Sequence, residues 1–215
     1  VSLRKRLFSL VRRLAGGKRP GYPVTRFAMY TALAEICRPY VPEVRRCLVI
    51  SGSGRLARAL GIPGGALHEA AYPEVDIRAL PFADGEFDAV VSDQVLEHVA
   101  APPSLVVREA GRVVRPGGLI VHTTCFVNPR HDAPADYWRF SPESLEILVE
   151  AAGDRVVRSG SWGNRYVLAG DALGLRYLPV NTARTWSLTH RLATLHQEKW
   201  PIVTWVAAIR NGPGI

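Results

Sequence analysis

A chain of 215 residues, 47% of them hydrophobic, is long enough to bury one full core and too short for several. No apolar run approaches the roughly 20 residues that span a bilayer, and no signal peptide is expected. The net charge of +8 sits in the first 26 residues, which hold eight basic side chains and no acid; the remainder balances at 19 basic against 19 acidic. Cys37, Cys47 and Cys125 are scattered and odd in number, which fits reduced thiols in a cytoplasmic protein better than a disulfide framework. With no C-x-x-C or H-E-x-x-H spacing, no metal site is expected.

Residues 1–22 read as a basic amphipathic helix, with Leu3, Leu7, Leu10, Val11 and Leu14 on one face and Gly16-Gly17 and Pro20 as the stop. Such a helix can lie among the headgroups of an anionic membrane, or pack on the domain with a solvated basic edge. Nucleic acid is the third option, disfavoured because no aromatic interleaving or RNA-binding motif accompanies the charge.

Residues 23–215 read as a single domain. A helix over Val24–Arg38 precedes a buried strand, Arg46–Ile50, which runs into Ser51-Gly52-Ser53-Gly54 and a short helix, Arg55–Leu60. Glycine, proline and alanine dominate 61–75, with room for one brief strand near Ala66–Glu69. The next stretch, D-I-R-A-L-P-F-A-D-G-E-F-D-A-V-V-S-D-Q-V-L-E-H from Asp76 to His98, is the most informative. A polar turn, Ala83-Asp84-Gly85-Glu86, leads into a strand, Phe87–Ser92, whose apolar run ends in the polar cluster of Ser92, Asp93 and Gln94. That is the pattern of a buried parallel strand delivering side chains to a ligand at its carboxyl end.

A helix from Pro103-Ser104 repeats Val106, Ala110, Val113 and Val114 at helical spacing, Arg115-Pro116-Gly117-Gly118 breaks it, and Leu119–Thr123 is the next buried strand. Ser141-Pro142 caps a further helix, with Leu145, Leu148, Val149 and Ala152 on one face and Gly153 as its close. Strands follow at Arg155–Ser159 and Val203–Ile209, separated by an insert, 163–200, without a clear period. Alternating strands and helices argue for a three-layer α/β domain with a mostly parallel sheet.

The ordered set of Gly52-x-Gly54 after the first strand, Asp76 before L-P-F-A-D-G-E-F-D, then D-Q-V-L-E-H-V and R-V-V-R-P-G-G-L-I-V resembles the class I S-adenosylmethionine-dependent methyltransferases, in particular the type 11 group. The resemblance covers residues 46–153. It implies a Rossmann-like fold with a seven-stranded sheet, curtailed if the short interval between Gly54 and Asp76 lacks room, and an antiparallel last strand. It also implies an S-adenosyl-L-methionine site. The loop of Gly52, Ser53 and Gly54 would lie against the methionine end, Asp76 and Ile77 near the adenine, and Asp93, Gln94 and Val95 beside the sulfonium, with His98 close by. For the ribose hydroxyls Glu69 is the first candidate and Glu74 the second. Leu48 and Ile50 stand where the family's first motif usually carries its acid.

Gly52-Ser53-Gly54-Arg55-Leu56-Ala57 also satisfies G-x-G-x-x-A, which alone would suggest NAD; the elements downstream favour the methyltransferase. After the fifth strand of the family pattern comes N-P-R-H-D-A-P-A-D-Y-W-R-F, from Asn128 to Phe140, similar to segments of type 11 relatives encoded among genes for surface glycans or natural products. His131 has the intrinsic pKa of a base for methyl transfer to a hydroxyl, and Asp132 could orient or replace it. Alternatively Asp136 and Arg139 pair as a loop clamp, with Tyr137 and Trp138 in the core. His122 could face pocket or core, and His190 and His196 read as surface or insert residues.

The expected function is therefore O-methylation of a glycan, glycolipid or secondary-metabolite hydroxyl in the cytoplasm, at the inner face of a membrane if the basic helix binds it. Residues 1–45 and 163–200 would build the acceptor side. The rivals are a non-catalytic binding or scaffolding descendant of the fold, and a nucleic-acid methyltransferase. Acceptor identity and oligomeric state are not readable.

Overall fold

The structure, a computed structural model, describes residues 21–131 and 135–212. The N-terminal basic helix, but for Gly21 and Tyr22, and Asp132 lie outside the described residues. Contacts divide the chain into two compact units, residues 32–160 with 204–215 and residues 1–31 with 161–203.

The larger unit is built on a six-stranded sheet of order β2-β1-β3-β4-β6-β5, the strands being β1 (Cys47–Ile50), β2 (Leu67–Ala70), β3 (Phe87–Asp93), β4 (Val114–Cys125), β5 (Arg155–Trp162) and β6 (Val203–Ile209). β1 pairs in parallel with β2 and β3, and β3 in parallel with β4. At the start of β4, Gly117 N donates to Arg210 O and Arg210 N donates to Gly118 O, the reciprocal pattern of an antiparallel pair with one extra residue. The last strand is thus antiparallel, as expected.

All four residues of β1 are buried, because a central parallel strand is covered on both faces. Leu48 and Ile50, which replace the acid of the family's first motif, are therefore core residues, packed in one cluster with Val90, Val106, Ala110 and Ile120. Burying each such side chain contributes about 1.5–3 kcal/mol.

Six strands are described where seven were expected. The shortfall lies in residues 71–86, which run as turns and irregular chain between β2 and β3. What fixes this stretch is Arg112, near the end of helix α3, the order being α1 (Val24–Cys37), α2 (Gly54–Ala59) and α3 (Pro103–Arg112). Its guanidinium donates to Phe82 O at 2.9 Å, Leu80 O at 3.0 Å, Asp84 Oδ1 at 2.5 Å and both Glu109 oxygens, while Leu80 N donates to Glu109 Oε1 at 2.8 Å. One cation thus gathers carbonyls that no strand partner would otherwise satisfy.

The Pro116-Gly117-Gly118 break falls inside β4 rather than before it. Gly117 takes φ 78°, and the register shifts between the pairs Phe87↔Val114 and Ala89↔Leu119, so the strand absorbs the excursion and resumes. At Gly118 a Cβ would come within 2.6 Å of Asp88 O and 2.9 Å of Arg115 O, both backbone atoms, which leaves room for glycine alone. On helix α4 (Pro142–Ala151), Ser141 is the cap, its Oγ accepting from Ser144 N at 3.2 Å, with Pro142 opening the helix as expected. Ser141→Ala is expected to cost about 1 kcal/mol, read as a lower urea midpoint at unchanged slope; an unaltered midpoint would count against the cap.

The smaller unit, which holds the whole insert, has no sheet of its own among the described residues. Helices α5 (Arg165–Ala169) and α6 (Leu188–Thr194) are joined by Asn164, whose Oδ1 accepts from Val167 N at 2.9 Å and whose Nδ2 donates to Leu192 O and Leu195 O, each at 3.0 Å. Among the described residues no helix is long and apolar enough to cross a membrane.

Candidate functional site

The carboxyl ends of β1 and β3 are where the parallel sheet offers a crevice, and both ends are bent. Ser51 and Gln94, the residues that follow the two strands on either side of the Ile50↔Ser92 pair, take φ 48° and 58°. Left-handed backbone at a non-glycine residue costs about 1–3 kcal/mol and gathers where a ligand is held. Ser53 ties the two ends together: its buried Oγ donates to Ile50 O and accepts from Asp93 N at 2.7 Å. Thr123 Oγ1 in turn donates to Asp93 Oδ1 at 2.6 Å.

Beside these ends opens a cavity of about 440 Å³. From the sequence-predicted set, Asp76, Ile77, Gln94, Val95 and His98 line it. Ser51, Tyr72, Val75, Arg78, Val99, Ala100 and Tyr137 line it too, and sequence reasoning had not assigned them to the cofactor. For all but Tyr72 the only signal was adjacency, since each lies in or beside a quoted motif or a named residue; Tyr72 had none.

Gly52, Ser53, Gly54, Glu69 and Asp93 are not in the lining. Gly52 nevertheless keeps φ 81° and has open space where a Cβ would project. Gly54 and Glu69 are brought together, for a Cβ on Gly54 would sit 2.6 Å from Glu69 Oε1, so the missing side chain makes room for that carboxylate. Glu74 is exposed in the turn after β2.

Asp76 serves its own turn as well as the cavity. Its Oδ1 accepts from Arg78 N at 2.9 Å, and Arg78 Nε and Nη2 reach the carboxylate at 2.6–3.0 Å. The Arg78 hydrogen bonds hold the Asp76 carboxyl below its ordinary range. Gln94 offers the complementary group: its Nε2 is buried and has no hydrogen-bond partner among the described residues. A buried amide donor left unmade costs about 1–3 kcal/mol, so the site is built for an acceptor that a ligand would bring.

The loop after β4 closes one edge. Asp136 pairs with Arg139 through Oδ1 to Nη1 and through Oδ2 to Nη2 at 2.7 Å, and Asp136 Oδ2 accepts from His131 N at 3.0 Å. The clamp reading of Asp136 and Arg139 therefore describes their contacts. Tyr137 and Trp138 are not core, at 53% and 39% exposed; Trp138 Nε1 donates to Val99 O at 3.0 Å. Tyr137 N and Trp138 N both donate to Glu97 O, which stitches the loop to the 3-10 turn Leu96–His98.

That stitch brings His98 and His131 edge to face, ring centroids 4.8 Å apart. His98 Nδ1 donates to Ala135 O at 2.5 Å, while His131 Nδ1 lies 2.9 Å from Asn128 Nδ2 and 3.3 Å from Asp136 Oδ2. Glu97, which the sequence reading had not singled out, is fully buried beside them. His122 faces the core instead, at 0% exposure. The three cysteines are buried and unpaired with one another, and burial pushes each thiol up to about 12, which keeps it protonated.

Residues 53–122 match the methyltransferase domain family. An uncharacterized methyltransferase of Mycolicibacterium gilvum is 58% identical over 102 residues, 46% of this chain and 39% of the relative. A probable S-adenosylmethionine-dependent methyltransferase of Mycolicibacterium smegmatis is 36% identical over 98 residues, 40% of this chain and 38% of the relative. The chain thus spans about two fifths of the length of these relatives. Among solved structures, the cyclase SpnF superposes with a TM-score of 0.55 over 96% of this chain and 93% of its own at 17% identity, a likeness of fold.

Proposed function

We propose that the chain is an S-adenosylmethionine-dependent methyltransferase acting on a hydroxyl of a glycan, glycolipid or secondary metabolite, a reading supported by its Rossmann-like fold and by the match of residues 53–122 to the methyltransferase domain. The observation that carries the reading is the cavity at the bent ends of β1 and β3, lined by Asp76, Ile77, Gln94 and Val95, with the unpartnered Gln94 Nε2 in its wall. The donor set fits the cofactor. A carboxylate at Asp76 suits an adenine amino group, Gln94 supplies a donor, and Gly52 leaves space for close backbone approach. Glu69, beside Gly54, suits the ribose hydroxyls.

S-adenosylmethionine supplies an activated methyl group on a sulfonium, so the protein's work is chiefly alignment and proton handling. His131 is the group placed to handle the acceptor's proton, with Asp136 behind its Nδ1; Asp132, in the same loop, is its alternative. A location in the cytoplasm, at the inner face of a membrane reached through residues 1–20, belongs to the same proposal. A second reading, a ligand-binding descendant without turnover, draws on Leu48 and Ile50, whose burial in the core leaves the first motif without its acid.

Calorimetry with S-adenosylmethionine, S-adenosylhomocysteine and NAD tests the lead reading. Both sulfur compounds are expected to bind and NAD not to. Gln94→Asn, which keeps a residue tolerant of positive φ but shortens the amide's reach, should weaken them about five- to tenfold, the ~1 kcal/mol of one hydrogen bond. Asp76→Ala should weaken them by a similar factor. Absence of binding at millimolar concentration would sink the proposal. Liposome co-sedimentation of the full chain and of a chain lacking residues 1–20 tests the membrane contact, which equal sedimentation would end.

A further inference from the structure

The cluster at the cavity edge offers more than a base. One ligand atom each from Glu97, His98 and His131 lies within 4.8 Å of the other two. Two imidazoles and one carboxylate, borne by a turn and a loop more than 30 residues apart in sequence, are the donor set of open transition-metal sites, in which three protein ligands leave a position for water or substrate. Their supporting contacts suit that role. His98 Nδ1–H is committed to the Ala135 carbonyl, which fixes the ring and leaves Nε2 as the lone-pair nitrogen. His131 Nδ1 lies between Asn128 Nδ2, at 2.9 Å, and the Asp136 carboxylate, at 3.3 Å and itself held by Arg139, and the two fix its ring. A ring nitrogen backed by a carbonyl or carboxylate is how metal-binding histidines are oriented and made more basic. Glu97 supplies a carboxyl at full burial, in the electrostatic reach of Arg139. His98 also lines the cavity, so an ion on this triad would face the ligand space.

We propose that Glu97, His98 and His131 bind one divalent transition-metal ion, of the zinc and cobalt class, at the edge of the cavity. Its open coordination position takes an oxygen ligand, and that this oxygen is the acceptor's hydroxyl rests on the methyltransferase reading. His131 would then act by holding a cation that acidifies the hydroxyl, whose proton would pass to solvent water as the methyl group is accepted, rather than by taking the proton itself. Hard cations such as magnesium are excluded by the two nitrogen donors. No spacing announced the triad, because 97, 98 and 131 form none of the usual ligand patterns.

The test is titration of the chelator-treated full chain with cobalt(II), followed by its visible ligand-field bands, and with zinc(II) by calorimetry, both without any sulfur compound. One equivalent should bind with micromolar or tighter affinity and give the intense bands of a four- or five-coordinate site. His98→Ala and His131→Ala should each weaken binding at least ~100-fold, at or beyond what losing a supporting contact alone costs. His68→Ala, at an exposed histidine on β2, should change nothing. Should His98→Ala or Glu97→Gln fail to fold, His131→Ala, at a half-exposed loop position, decides alone. Less than a tenth of an equivalent bound by wild type, or equal affinity in His131→Ala, overturns the proposal. Because no sulfur compound is present, metal without cofactor binding would sink only the methyltransferase reading, and the reverse result only this one.

Discussion

Asp136→Ala is expected to lower stability by about 3 kcal/mol and to release the loop that closes the cavity. The Asp136 side chain is 1% exposed and gives both oxygens to Arg139 and one also to His131 N, so its removal strands a guanidinium and a backbone donor together. Breaking a buried pair from one side costs about 3–5 kcal/mol, and the lower end applies because Arg139, 29% exposed, can turn toward water. Asp136→Asn, which keeps an acceptor but not the charge, should cost less. Urea unfolding reads the loss, and a change under 0.5 kcal/mol would show that the clamp is idle. The Arg139 hydrogen bonds, with the His131 amide, hold the Asp136 carboxyl well below the usual carboxylate range. Its contribution is therefore complete above a pH of about 4, the unfolded value, and fades only as the pH falls further. At neutral pH the clamp should be insensitive to acidity.

The same residue shows what the sequence could and could not disclose. D-Y-W-R-F announced an ion pair at i, i+3 and left open what it held. The structure supplies the answer through a long-range bond: the loop's backbone donates to Glu97 O, so the clamp sets where His131 stands relative to His98. Pairings between residues 97 and 135–138 depend on how two segments return to one sheet end, and no local pattern encodes that. By contrast, β3 was legible to within a residue, because a central parallel strand must be apolar on both faces and turn polar where it meets ligand.

The stretch from Asp76 to Glu86 was legible as a motif but not as a mechanism. The sequence assigned only Asp76 and Ile77 to the cofactor and read Ala83 to Glu86 as a turn, without showing that much of the stretch answers a backbone need. With no third strand beside it, the chain's carbonyls at Leu80 and Phe82 are satisfied by Arg112, and Asp84 and Glu109 balance that cation. Only its first residues, Asp76 to Arg78, reach the cavity. Curtailing the sheet thus shifts the burden of order from strand pairing to a single arginine, which is why the short interval after Gly54 could be noticed in sequence but not interpreted.

His122 carries the largest expected pH effect. The imidazole is wholly buried in β4, opposite Ser92 of β3, whose Oγ lies 2.7 Å from Nδ1. Burial pushes its pKa down to about 4, so the folded protein keeps it neutral across the range in which an unfolded histidine, near 6.5, takes up a proton. Above about pH 6.5 both states are neutral and the group exerts no pull. As the pH falls from there toward 4, the unfolded state binds the proton first, and stability declines by up to ~1.4 kcal/mol per unit, about 3 kcal/mol in all. His122→Asn retains a polar partner for Ser92 without a group that titrates in this window. The test is the unfolding free energy of both proteins at a series of pH values from 7.5 to 4. Carboxylates and the exposed histidines titrate alike in the two, so the wild type should lose about 3 kcal/mol more than the variant between 6.5 and 4. Parallel curves would mean that the imidazole is reached by water and charged in the folded state, which would return it to the candidates for proton transfer at the cavity.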